Sequence, residues 1–74
     1  MGRRDPDLVK EQALDHDTRV AIFALFTEDE GRSLAARDLL RDLKSTHPEK
    51  YRTMRPKQIH YHRVCLQDAD LLPA

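Results

Sequence analysis

The sequence predicts an all-α fold, a small bundle of about four helices with little or no β-structure. Two observations support this prediction. The 74 residues include only two glycines, four prolines and no asparagine, so the tight turns of an all-β chain with many hairpins are scarce. Apolar residues also recur at helical spacing along most of the chain. A chain of this length buries only about 60% of the surface that it exposes when unfolded. It therefore forms one compact domain at most.

The first two helices are predicted in the N-terminal half of the chain. Asp5-Pro6-Asp7 is typical of a helix start, because aspartate caps and proline fits the first helical position. A break near Asp15-His16-Asp17 precedes the apolar run Val20–Phe26, and Asp17 is the expected cap of that run. An unbroken apolar run is compatible with a buried strand or a buried helix. Its alanines, the flanking aspartates and the downstream Gly31 favour a helix that ends before Gly31.

The third helix is predicted from an apolar stripe with charged residues outside it, formed by Leu34, Ala35, Leu39, Leu40 and Leu43. It begins at Ser33, or after a short strand at Arg32-Ser33-Leu34. It ends at Ser45-Thr46-His47-Pro48, because proline disfavours helical geometry in the residue before it.

The last helix is predicted to run from Pro56 to about Ala69. The preceding stretch, Glu49–Met54, is compatible with a loop or a helical turn. The positions expected to face inward are Ile59, His62 or Arg63, Leu66 and Ala69. Leu71-Leu72-Pro73 is compatible with the start of a strand.

Charge is distributed unevenly, although the formal net charge is zero. Residues 1–40 contain six basic and nine acidic residues, whereas residues 41–74 contain seven basic and four acidic ones. Five of the basic residues lie between Lys50 and Arg63, where no acidic residue occurs and where histidine, tyrosine and glutamine are interleaved. Basic charge beside side chains that can bind base edges is typical of a nucleic-acid interface. The alternative is a solvated basic face that complements the acidic half, within one molecule or between subunits.

Several other protein classes do not fit the sequence. The apolar run Val20–Phe26 is far shorter than the roughly 20 residues that cross a bilayer, and no apolar signal-peptide core follows Met1–Asp7. The single cysteine, Cys65, cannot form an internal disulfide. His60, His62 and Cys65 lack the spacing of a zinc site, and no oxyanion loop accompanies them. We therefore expect a cytoplasmic binding module that is not an enzyme, with no metal, no cofactor and no membrane partner.

Two stretches of the chain resemble a known family. Leu14–Phe23 contain a leucine, a short polar turn, an arginine and an apolar helix, and Gln58–Leu72 contain a histidine, a leucine and an alanine-aspartate-leucine ending. Together with Leu34–Leu43, they resemble the opening, recognition and supporting helices of winged-helix transcriptional repressors of the arsenical-resistance (ArsR) type. The resemblance covers about residues 14–72.

The chain departs from the family pattern at four points. Asp70 stands where the family has glycine, Arg63 stands where an aliphatic residue packs, and residues 45–55 are longer than the usual turn. The wing is expected to be absent or truncated, because the 74 residues end where its first strand is expected to begin.

The resemblance implies a division of the chain and a function. Residues 1–13 are expected to form an N-terminal helix that serves as a dimerisation element, and residues 14–74 a helix-turn-helix DNA-binding domain. The helix near residues 56–69 is expected to bind double-stranded DNA sequence-specifically in transcriptional regulation, as a homodimer. The expected base contacts are Lys57, Gln58, His60 and Tyr61, and the expected phosphate contacts are Arg52, Arg55 and Arg63. The alternative is a small helical protein–protein interaction or dimerisation module that does not bind DNA.

Overall fold

The computed structural model describes residues 5–73 and consists of four helices. They are α1 (Pro6–Ala13), α2 (Asp17–Glu28), α3 (Ala36–Thr46) and α4 (Pro56–Asp68). Within residues 5–73 there is no strand, which confirms the predicted all-α fold, and neither 32–34 nor 71–73 adopts the extended pairing that we considered. None of the helices in this part of the chain has the length and apolarity needed to cross a membrane. Residues 1–4 of the predicted N-terminal segment 1–13, and residue 74 of the predicted segment 14–74, lie outside the described residues.

The helix starts agree with the sequence at α1 and differ from it at α2. Asp5 caps α1, since its carboxylate accepts a hydrogen bond from the Asp7 amide at 3.0 Å, with Pro6 in the first turn. At α2 the cap is His16, not Asp17: the His16 Nδ1 accepts from the Thr18 amide at 3.1 Å. His16 has the extended backbone of a capping residue, while Asp17 is already helical and places its charge at the positive end of α2.

Helix α3 begins three residues later than Ser33. Ala35 has extended backbone geometry and precedes the first helical residue, Ala36. Ser33 closes the turn in front of the helix instead, because its hydroxyl accepts from the Ala35 amide at 3.3 Å and donates to Asp38 at 2.6 Å. The apolar stripe therefore extends beyond the helix, and Leu34 is a partly buried loop residue.

Helix α4 is the centre of the fold, since it contacts each of the other three helices and has its most extensive contact with α3. Six large side chains are completely or almost completely buried: Ile22, Leu39, Leu43, Tyr51, Ile59 and Leu66. Ala13 at the end of α1 is also buried, so α1 is part of the same core.

The segment between α3 and α4 consists of turns folded around Tyr51. One helical-type hydrogen bond joins the Tyr51 amide to the His47 carbonyl at 3.2 Å, and a tighter turn joins the Met54 amide to the Tyr51 carbonyl at 3.2 Å. This decides between the loop and the helical turn left open by the sequence: the segment contains a single helical turn that is not continued. Tyr51 itself is fully buried, while Arg52 and Arg55, which follow it in the sequence, are exposed.

The C-terminal end of α4 is a Schellman motif with Asp70 in the left-handed region, at a φ of 61°. The Asp70 amide donates to the Gln67 carbonyl at 3.0 Å and the Leu71 amide donates to the Leu66 carbonyl at 2.9 Å. This is the position at which the ArsR-type resemblance places glycine, the residue that adopts this geometry without strain. The turn returns the chain to the core, where Leu72 is buried.

Candidate nucleic-acid interface

The four residues predicted to contact bases lie on the exposed surface of the first half of α4. Pro56 occupies the first turn, and Ile59 and His62 take the inward positions of the helix. Lys57, Gln58, His60 and Tyr61 are therefore left on the solvent side, and Tyr61 keeps 59% of its surface exposed. His62, and not Arg63, is the buried member of the inward pair that the sequence left open.

Gln58 has a structural task at the start of α4. Its side-chain Oε1 accepts a hydrogen bond from the Arg55 amide at 2.9 Å and so satisfies a donor that precedes the helix. The Gln58 amide nitrogen is not used in that bond. A bidentate contact to adenine needs both the oxygen and the nitrogen, so it would replace this capping bond.

Two of the three arginines predicted to contact phosphate project from the turn that leads into α4. Arg52 and Arg55 are exposed, and within residues 5–73 neither forms an ion pair. They lie beside the N-terminal end of a 13-residue helix, whose dipole favours a negative group.

Arg63 differs from them because its guanidinium is bound to the protein. Its Nη1 donates to the Leu34 carbonyl at 3.0 Å, its Nη2 contacts the His60 Nδ1, and its Nε is buried without a partner among the described residues. The side chain thus joins α4 to the loop before α3. A partly buried arginine is accommodated at this position because its head reaches a carbonyl.

The free basic charge of this surface is smaller than the sequence suggests. Lys50 forms an ion pair with Asp17 at 3.5 Å, and Arg63 is engaged as described. Of the five basic residues between positions 50 and 63, Arg52, Arg55 and Lys57 are exposed and make no ion pair within residues 5–73.

A polar cluster behind this surface was not predicted from the sequence. The buried His62 accepts a hydrogen bond at Nδ1 from the Arg19 Nε at 3.2 Å, and the His16 ring lies 4.4 Å from the His62 ring, between centroids. The same arginine donates to the Ala13 carbonyl at 3.5 Å and lies 5.8 Å from the centre of the Tyr61 ring. Burial lowers the pKa of His62, and the neighbouring His16 and Arg19 lower it further.

The sequence contained a signal for only one member of this cluster. His62 was among the expected inward positions, whereas nothing near His16 or Arg19 pointed to a partner on α4. Arg19 and His62 are separated by 43 residues along the chain.

The placement of the histidines and of Cys65 gives no support to a metal site. Within residues 5–73, no three His, Cys, Asp or Glu side chains are placed to hold a metal ion together. His60 and His62 lie in different surroundings, one exposed and one buried, and Cys65 is partly exposed.

Comparison of the chain with protein-family models, with curated proteins and with solved structures finds no match in any of the three. The resemblance to ArsR-type repressors therefore depends on residues 14–72 of the sequence alone. The function has to be inferred from the placement of the side chains.

Proposed function

We propose that this chain binds double-stranded DNA in transcriptional regulation, with α4 as the helix that enters the major groove. The observation that supports this most is the exposed surface formed by Arg52, Arg55, Lys57 and the polar side chains of α4 that follow them. No acidic residue interrupts positions 50–63. In this proposal α3 supports α4 in the way that the first helix of a helix-turn-helix supports the second.

Each exposed residue of α4 has a role that follows from its chemistry. Lys57 suits the guanine acceptors and Gln58 suits adenine, while His60 and Tyr61 offer hydrogen-bonding groups to neighbouring base edges. Arg52 and Arg55 bind phosphates, which sets the register of the protein but not its sequence preference. For Arg63 the same role requires that its guanidinium exchange the Leu34 carbonyl for a phosphate.

The number of free basic groups predicts a moderate dependence on salt. Each phosphate that a basic side chain neutralises lowers the slope of log affinity against log salt by about 0.9. Three such contacts from Arg52, Arg55 and Lys57 give a slope of roughly −3 per protomer. A homodimer bound to two half-sites doubles it.

Fluorescence anisotropy with labelled duplexes tests this proposal. Lys57→Ala and Gln58→Ala are expected to lower discrimination between duplex sequences, because each removes a base contact. Arg52→Ala is expected to weaken binding to all sequences and to flatten the salt slope by about one unit, because it removes a phosphate contact.

Lys10→Ala is the matched control, since it removes one exposed positive charge from α1, close to the opposite end of α4. It is expected to leave affinity and salt slope nearly unchanged. If Lys10→Ala weakens binding as much as Arg52→Ala, the assignment of the binding face to α4 is wrong. A folded protein that binds no duplex at low salt would contradict DNA binding itself.

The second candidate is a helical interaction module, and it is favoured by the apolar surface that α1 and α2 leave open. Leu8 and Val20 keep 49% and 48% of their surface exposed. Phe23 and Phe26, also on α2, are only partly buried. A second copy of the chain that covers this surface would form the expected homodimer. Sedimentation of the protein alone and with duplex separates the two candidates, since a dimer that ignores DNA fits only the second.

A further inference from the structure

Two imidazole rings and one guanidinium meet where α1, α2 and α4 come together. His16 caps α2, Arg19 lies in the first turn of that helix, and His62 lies in the middle of α4. Arg19 also reaches the last residue of α1 through the Ala13 carbonyl. This cluster therefore links the first two helices to α4 by polar contacts.

The hydrogen bond from Arg19 defines the form of the His62 ring that this contact accepts. The His62 Nδ1 faces the Arg19 Nε–H. A guanidinium only donates, so the His62 Nδ1 accepts through its lone pair and the ring is neutral with its proton on Nε2. A further proton can enter the His62 ring only at Nδ1. It would therefore displace the bond to Arg19.

Within residues 5–73, no carboxylate pairs with His62 to favour a charged ring. The groups that face it are His16 and Arg19 from α2 and Tyr61 from its own helix, and α1 contributes only a carbonyl that Arg19 already uses. Among residues 5–73, no carboxylate forms an ion pair with either imidazole. A positive charge on His62 would stand beside the guanidinium and 4.4 Å from a second imidazole, between ring centroids.

We propose that His16, His62 and Arg19 form a pH-sensitive latch between the start of α2 and α4. The latch is closed while the His62 ring is neutral, and it opens when His62 takes up a proton and turns a donor toward Arg19. Opening removes the hydrogen bond between α2 and α4, and it releases Arg19 from the end of α1.

The direction of the pH effect follows from the burial of His62. Its pKa in the folded protein lies below the ordinary histidine value of 6.5, chiefly because burial disfavours the charged ring and secondarily because of His16 and Arg19. The unfolded chain therefore binds the proton more readily than the folded protein does. The contribution of the neutral His62 to the free energy of unfolding is fully present above pH 6.5. It is lost as the pH falls through the lower, folded-state pKa of His62.

The latch also bears on the candidate DNA surface, and this consequence rests on the proposed function. Arg19 lies 5.8 Å from the centre of the Tyr61 ring, so the guanidinium that binds His62 also positions an exposed residue of α4. When the latch opens, Tyr61 loses that neighbour. Sequence discrimination by the Tyr61 position is therefore expected to decrease in acid.

The test compares the wild type with His62→Asn and with a matched control, His47→Asn. Asparagine places a side-chain oxygen near the position of the His62 Nδ1, so Arg19 keeps an acceptor that cannot be protonated at these pH values. His47 is an exposed histidine at the C-terminal end of α3. Urea unfolding and NMR spectra are recorded from about pH 8 to about pH 5, the interval in which histidine titrates.

In the wild type, the urea midpoint is expected to fall with pH, and the Arg19 Nε–H signal is expected to move with the same midpoint as the His62 ring signals. His62→Asn is expected to lose at least half of the pH-dependent fall, and His47→Asn to keep it. The latch is wrong if the Arg19 Nε–H signal stays unchanged while His62 titrates, or if His62→Asn retains the whole fall. The wild-type NMR measurement decides the matter even if His62→Asn does not fold.

Anisotropy measurements on the same proteins separate this inference from the proposed function. If wild type and His62→Asn bind duplex alike near pH 8 but differ in sequence discrimination near pH 5, the link to Tyr61 is supported. If no duplex binds while the Arg19 Nε–H signal titrates together with the His62 ring signals, the latch is supported and the proposed DNA function is wrong.

Discussion

Helix α4 is held on its two sides by different chemistry. On the side of α3, the contact is extensive and lies within an apolar core that includes the fully or almost fully buried Leu39, Leu43, Ile59 and Leu66. On the side of α2, Arg19 and His62 form the single side-chain hydrogen bond between the two helices in the part of the chain that the structure describes. The α2 side also contributes the fully buried Ile22 to the apolar core, but only this side includes a hydrogen bond that depends on a neutral histidine.

The magnitudes show what each side contributes. Complete burial of a leucine or isoleucine side chain stabilises a fold by about 1.5–3 kcal/mol, whereas an intramolecular hydrogen bond contributes a net of about 0.5–1.5 kcal/mol. Several such residues line the α3 side, so that side sets the stability of the domain. The hydrogen bond on the α2 side adds little to the total but makes it depend on solution conditions.

Leu39→Ala has the largest expected effect, because it opens a cavity on the apolar side of α4. Leu39 has no exposed surface, and truncation of a buried leucine typically costs about 3 kcal/mol. Urea unfolding at about pH 8 and about pH 5.5 measures both the loss and its pH dependence. The loss is expected to be the same at both pH values, because the substitution removes apolar packing and no ionisable group.

Leu8→Ala is the control for that experiment. Leu8 lies on α1 with 49% of its surface exposed, so the same truncation is expected to cost well under 1 kcal/mol. Equal losses for the two variants would show that the core is not centred on α3 and α4. A loss for Leu39→Ala that grows in acid would show that the two sides of α4 are not independent.

Tyr51→Phe is expected to stabilise the protein, by less than Leu39→Ala destabilises it. The Tyr51 ring is fully buried below the turn that precedes α4, and its hydroxyl has no hydrogen-bond partner among the described residues. Burial of an unpaired hydroxyl is costly, so its removal with the ring retained is expected to raise the free energy of unfolding by about 1 kcal/mol.

Tyr61→Phe provides the comparison for this change, because Tyr61 is 59% exposed and its hydroxyl is free to bind water. Its urea midpoint is expected to stay within error of the wild type. A clear destabilisation by Tyr51→Phe would mean that the hydroxyl has a partner after all, such as a bound water.

The existence of the helices was predictable from the sequence, but their starts were predictable only in part. Asp5 and Pro6 mark α1 without ambiguity, whereas His16 and Asp17 are adjacent acceptors and only the backbone geometry decides which of them caps α2. Ser33 has the residue type of a helix cap but bonds within the turn before α3. Local sequence patterns do not distinguish these arrangements, because the competing hydrogen bonds are of similar strength.

The exposed side of α4 followed from helical spacing once Ile59 was assigned to the core, and the roles of Lys57 and Gln58 on it stay predictions. The burial of Tyr51 did not follow, because a tyrosine among basic residues resembles an interface until the turn is folded. The contact between Arg19 and His62 had no local signal either, since it forms only when two distant helices pack. Polar contacts across the core depend on tertiary structure, which periodicity does not encode.

Asp70→Gly has the smallest expected effect on stability. Asp70 lies in the turn that ends α4, outside the contacts with α2 and α3 that are compared above. Asp70 adopts a φ of 61°, which costs an L-residue about 1–2 kcal/mol, less for aspartate, and which glycine adopts freely. Part of that gain is offset by the greater freedom of glycine in the unfolded chain, so a net stabilisation of about 0.5 kcal/mol is expected in urea unfolding.

Asp68→Gly is the control, since it places the same glycine in the last turn of α4 and is expected to destabilise the protein by about 0.5–1 kcal/mol. If both variants destabilise the protein, Asp70 contributes through its side chain rather than tolerating a strained backbone. The aspartate would then stabilise the end of α4 by a contact of its own, in place of the glycine that the family resemblance predicts there.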